Sequence, residues 1–72
     1  MLKQFTAIIE KEDDGYVALC PELDVASQGS SIEEARKNLR EALELFLENA
    51  SPAELADRLH RDIYITHVEV DA

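Results

Sequence analysis

Cys20, Glu22, Asp24, Ser27 and Gln28 crowd into one run, GYVALCPELDVASQG, bounded by Gly15 and Gly29. A thiol in such company is a candidate nucleophile, and converging carboxylates are the ligands of two-metal phosphodiester chemistry. Each reading needs a further condition that the neighbouring residues do not meet. A nucleophilic cysteine needs a base, a cation or a helix N-terminus to lower its pKa, whereas the sequence neighbours of Cys20 include Leu19 and Glu22, and a carboxylate raises a thiol pKa. Cys20 is therefore expected to be a buried structural residue. Glu10, Glu12, Asp13 and Asp14 cluster at a predicted hairpin tip, where side chains diverge into solvent. Asp24 sits in a turn, where aspartate commonly bonds its own backbone. His60 and His67 straddle a helix-to-strand boundary and match no compact metal spacing, so both are expected at a surface or interface. No Gly-x-Ser-x-Gly elbow and no glycine-rich phosphate loop occurs. No catalytic residue, metal site or cofactor is expected.

The elements around these residues are easier to read. LKQFTAIIEKE is rich in β-branched and aromatic residues and reads as a strand. Asp14-Gly15 signals a hairpin, because both residues tolerate positive φ. GYVALC is the returning strand. This pairing puts Phe5, Ala7 and Ile9 on one face with Tyr16, Ala18 and Cys20, and Thr6 and Ile8 on the other with Val17 and Leu19. Pro21 lacks a donor and ends the ladder. ELDVASQG supplies a turn and a short third strand, with Gly29 allowing a sharp exit.

SSIEEARKNLREALELFLENA then carries apolar residues at helical spacing: Ile32, Ala35, Leu39, Ala42, Leu43, Phe46 and Ala50. Ser31 and Glu34 fit a capping box, and Glu33–Lys37 and Arg40–Glu44 are opposite charges one turn apart. SPAELADRLHRD starts a short second helix with Ser51 as cap, Pro52 at the first position and Glu54 completing a second box. DIYITHVEVDA reads as a closing strand, with Ile63 and Ile65 on one side and Tyr64, Thr66, Val68 and Val70 on the other. The order is β-β-β-α-(α)-β: an α+β fold in which one long helix lies across an antiparallel sheet. One helix covers one sheet face. The apolar character of the other face points to a second subunit.

Size leads to the same expectation. The chain has 72 residues, forming a single domain over 1–72. Such a domain buries only about 60% of its unfolded-chain surface. One cysteine allows no internal disulfide, so oligomerisation is the remaining source of stability. The net charge is −9 and is spread along the chain, leaving no basic stripe to neutralise phosphates. Direct nucleic-acid binding is not expected. The N-terminus has too short an apolar stretch for a signal peptide, no segment approaches a membrane span, and the lone cysteine fits the cytoplasm.

The run as a whole resembles the N-terminal domain of HicB-like antitoxins. It carries Gly15-Tyr16, Pro21-Glu22-Leu23, Gly29, Ser31, Glu33-Glu34-Ala35, Asn38-Leu39 and Glu41-Ala42 in order. The resemblance covers about residues 2–50. It implies a partial ribonuclease H-like fold without its catalytic acids and a homodimer or tetramer. It also implies a role in a toxin–antitoxin system, binding and blocking a small basic RNA-cutting toxin, HicA. Family members usually add a C-terminal DNA-binding module; after Ser51 this sequence offers one short acidic helix and one strand, with no basic segment to enter a groove. Asp13 and Asp14 at the hairpin tip and Glu41, Glu44 and Glu48 on the helix are the candidate partner-binding residues. Gly15, Tyr16, Pro21, Glu22, Leu23, Gly29, Ser31, Glu34 and Ala35 are the fold signature. The alternative reading is an orphan HicB-like oligomer that binds a small molecule or another protein.

Overall fold

The computed structural model describes residues 3–59 and 62–72. Three strands, β1 (Ile8–Glu12), β2 (Gly15–Cys20) and β3 (Val25–Gly29), form an antiparallel sheet in the order β1-β2-β3. Helix α1 (Ile32–Asn49) packs across it, and the short α2 (Pro52–Leu59) follows. The architecture is the expected α+β arrangement of a sheet against one long helix.

The register explains where the strands stop. Ile8 pairs with Leu19 and Glu12 with Gly15, so Asp13 and Asp14 form the loop. Continuing that register would set Thr6 opposite Pro21, which has no N–H to give. The ladder ends there, and β1 is shorter than the sequence pattern suggests. The Thr6 N–H instead donates to the Glu22 carboxylate, at 3.1 and 3.0 Å from its two oxygens.

Over the paired residues the facing is as read from the alternation, whereas Ala7, which precedes β1, is exposed. Ala18 and Cys20 are fully buried, whereas Leu19, between them, is 36% exposed on the opposite face. Leu23, Ala35 and Leu39 complete the buried core, with Phe5, Ile9, Tyr16, Val25, Leu43, Phe46 and Leu55 packed around it. Burying a leucine fully contributes about 1.5–3 kcal/mol, so Leu23 and Leu39 are its two largest aliphatic contributors.

The glycines act differently from expectation. Neither has positive φ; Asp13 (φ 52°) and Asp24 (φ 55°) take the left-handed positions in the two turns. Gly29 is required by close approach, because a Cβ there would lie 2.5 Å from the Ala35 nitrogen and 2.8 Å from the Glu34 carbonyl carbon. The sheet and the first turn of α1 touch backbone to backbone at this point.

Both helix starts are capped by serine. The Glu34 N–H donates to Ser31 Oγ and the Glu54 N–H to Ser51 Oγ, each at 3.1 Å. The return half of the first box is displaced: Glu34 Oε1 accepts from the Ser30 N–H at 2.8 Å, one residue before the cap, because the chain has already turned. Glu54 faces forward to Arg58 instead. Arg40 and Glu44 form their pair at 3.8 Å, and Glu33 and Lys37 do not pair.

The closing strand is not formed. Residues 62–72 adopt neither strand nor helix. A strand is stable only when paired, and among the described residues no strand pairs with this segment. Tyr64 is 84%, Val68 80% and Val70 78% exposed. His60 lies outside the described residues, and His67 is exposed.

Candidate functional site

The chemistry-bearing run does not converge. Cys20 and Ser27 lie on the helix-covered face of the sheet, Gln28 points to the other face, and Asp24 is exposed in the β2–β3 turn. The local centre is a knot of Cys20, Glu22 and Thr6. The Cys20 thiol donates to Glu22 Oε1 at 3.5 Å, and Thr6 Oγ1 donates to Glu22 Oε2 at 2.7 Å. Burial pushes the Cys20 thiol up, and the hydrogen bond to Glu22 adds to this against the opposing Leu23 backbone. Burial also works to raise Glu22, but the hydrogen bonds, led by that of the Thr6 side chain, outweigh it and hold the carboxyl below its ordinary value. The knot is therefore a protonated thiol beside a held carboxylate, the wrong polarity for a thiolate nucleophile.

Three anchoring residues carry no strong sequence signal. Thr6 reaches Glu22 across sixteen positions. Asn38 Nδ2 donates to the Gln28 carbonyl at 2.8 Å and ties α1 to β3; the sequence marks only its place in the HicB-like run. Arg58 donates through Nη1 to the Leu23 carbonyl, lies 4.9 Å over the Phe46 ring and stands 3.8 Å from Glu54. One side chain thus joins α2, α1 and the β2–β3 turn.

The signature residues all have local structural tasks. Gly15 and Gly29 permit close backbone approach, and Tyr16 pairs with Gly29 beside the core. Pro21 ends the ladder, Glu22 holds Thr6, Leu23 and Ala35 fill the core, and Ser31 and Glu34 cap the helix. The Glu34 carboxyl is held below its ordinary value by the Ser30 backbone and then its hydroxyl.

The five acidic candidates fall into two places. Asp13 and Asp14 line an open groove of ≈ 480 Å³ between the hairpin tip and the start of α1, together with Glu12 and Glu34. Glu41, Glu44 and Glu48 form an exposed stripe along α1. At 1.5 Å per residue, Glu48 is about 20 Å along the helix from Glu34. The tip and the far end of the stripe therefore cannot grip one small ligand, but both could lie under one protein surface. Arg40 and Glu44 are 80% and 63% exposed, so their pair contributes no more than about 1 kcal/mol and leaves the stripe negative. Among the described residues no three His, Cys, Asp or Glu side chains are placed to hold a metal ion. Among them, too, no helix is long and apolar enough to cross a membrane.

Comparison with known proteins gives consistent relatives. The chain is 42% identical over 65 residues to a UPF0150 protein of Helicobacter pylori, covering 89% of this chain and 90% of the relative. It is 53% identical over 51 residues to a UPF0150 protein of Thermotoga maritima, covering 67% of this chain and 68% of the other. A UPF0150 protein of Synechocystis is 47% identical over 51 residues, covering 68% and 71% respectively. No family model and no solved structure matches.

Proposed function

The chain belongs to the UPF0150 family, and from its acidic surface and its HicB-like run we propose that it is a non-catalytic HicB-like antitoxin, neutralising a basic HicA-type ribonuclease by direct binding. The observation that carries this reading is the charge: −9 on 72 residues, with Glu41, Glu44 and Glu48 exposed in a row on one helix. Such a stripe steers a basic partner into encounter and holds its register. The same basic surface on a ribonuclease is the one that binds RNA, so covering it blocks cleavage. The reading needs no cofactor and places a homodimer or tetramer in the cytoplasm.

The test is a binding titration of the purified protein with the HicA-type toxin encoded beside its gene, at rising salt, with co-expression to measure growth rescue. Tight binding that weakens with salt, and rescue lost in Glu41→Lys/Glu44→Lys/Glu48→Lys, is the expected result. The absence of binding to any adjacent HicA would overturn the reading in favour of an orphan HicB-like oligomer with another ligand.

A further inference from the structure

Residues 62–72 have the alternation of a strand, and among the described residues no strand is paired with them. No backbone hydrogen bond joins them to other described residues. The whole chain is correspondingly open. Its radius of gyration is 14.0 Å, against about 11 Å for a compact chain of this length. Its accessible surface is 6173 Å², against roughly 4,500 Å² for a compact 8.1 kDa protein. The surplus is roughly 1,700 Å² per copy, or roughly 3,400 Å² for a pair, within the obligate-homodimer range of about 2,000–5,000 Å².

The same chain contains a matching slot. A groove of ≈ 1360 Å³ runs between residues 3–7 and the two helices, with Phe5, Leu43, Leu47 and Leu59 among its apolar walls. Lys3, Arg36, Lys37 and Arg40, four of the chain's seven cations, line it beside the carboxylates of Glu33, Glu34 and Glu44. It is thus a net positive strip on a protein of charge −9. Residues 62–72 carry Asp62, Glu69 and Asp71 and no lysine or arginine. The edge beside the groove is also open. The β3 edge has Asn38 seated on the Gln28 carbonyl, whereas alternate residues of β1 turn their backbone groups away from β2 with no strand to receive them.

We propose that residues 62–72 of one copy lie as an added strand along β1 and residues 3–7 of a second copy, filling this groove, and that the second copy does the same in return. The exchange is self-complementary and closes as a two-fold dimer. It gives the homodimer of the antitoxin reading its interface, and no toxin takes part in it.

The test uses the full chain. Light scattering at micromolar concentration is expected to give two copies or a multiple of two. Mixing isotope-labelled with unlabelled protein is expected to give nuclear Overhauser contacts between chains, from Tyr64 and Val68 to Phe5 and Leu43. Val68→Pro, and deletion of residues 62–72, should raise the dissociation constant at least 100-fold with the helical circular dichroism kept. Lys37→Glu/Arg40→Glu should raise it at least tenfold. A monomeric wild type, a dimer that survives both the proline and the deletion, or contacts from residues 62–72 found only within one chain would overturn the proposal. Should the variants not fold, the contacts in the wild-type mixture decide it alone.

Discussion

Replacing Gly29 by alanine would set a methyl carbon 2.5 Å from the Ala35 nitrogen, 2.8 Å from the Glu34 carbonyl carbon and 2.9 Å from the Ala35 Cα. All three are backbone atoms of the first turn of α1, so no side chain can swing aside. The sheet and the helix must separate by about 1 Å at the point where Ser30, Ser31 and Glu34 hold the helix start. Overpacking of this kind costs about 1–3 kcal/mol. The gain from a stiffer unfolded chain offsets only about 0.4–1 kcal/mol. A net loss of about 1.3 kcal/mol is a sizeable share of the roughly 4–11 kcal/mol available to a domain of this length. It would lower Tm by about 5–10 °C. Thermal and urea unfolding at matched protein concentration would measure it, with Gly15→Ala as the comparison. There the new methyl meets the Gly29 carbonyl, its oxygen at 3.0 Å and its carbon at 4.0 Å, and a smaller loss is expected. A Gly29→Ala protein as stable as the wild type would refute the account of Gly29 as a contact point.

Three further outcomes are expected. Glu22→Gln should cost about 1–2 kcal/mol at neutral pH by weakening the bonds from Thr6. Because the folded-state pKa of Glu22 is depressed, its contribution is complete above the ordinary value near 4.5 and is lost as pH falls through the lowered one; urea titrations should show the wild type and variant converging only in acid. Arg58→Met should destabilise by about 1–2 kcal/mol and speed amide exchange in α2, since the bond to the Leu23 carbonyl and the contact with Phe46 go together. Cys20 should resist a thiol reagent in the native protein and react rapidly in urea, and rapid native labelling would contradict its burial.

Local periodicity made the facing of β1 against β2, the core positions Ala18, Cys20, Ala35 and Leu39, and the capped start of α1 legible in the sequence. Each is set by neighbours within a few residues, and so by alternation, helical spacing or a cap. Residues 13 and 24 escaped because either of two adjacent turn positions can take positive φ. The purpose of Gly29 escaped because it depends on how closely the first turn of α1, at Glu34 and Ala35, lies against it. The Thr6–Glu22 and Arg58–Leu23 bonds join distant parts of the chain and follow no period. The closing segment has a strand's pattern, but a pattern specifies which face is apolar and leaves open what lies beside it. Of the acidic candidates, their exposure was legible, and their division between two ends of a helix was not.

The two turns of the sheet differ in what they would tolerate. Leu23 sits in the β2–β3 turn yet is fully buried, with its carbonyl held by Arg58. That loop is in effect part of the interior, and a peptide tag spliced into it would extract the domain's keystone. The Asp13–Asp14 loop has only exposed side chains. An affinity label or fluorophore belongs there, where it can report on the protein without entering its structure.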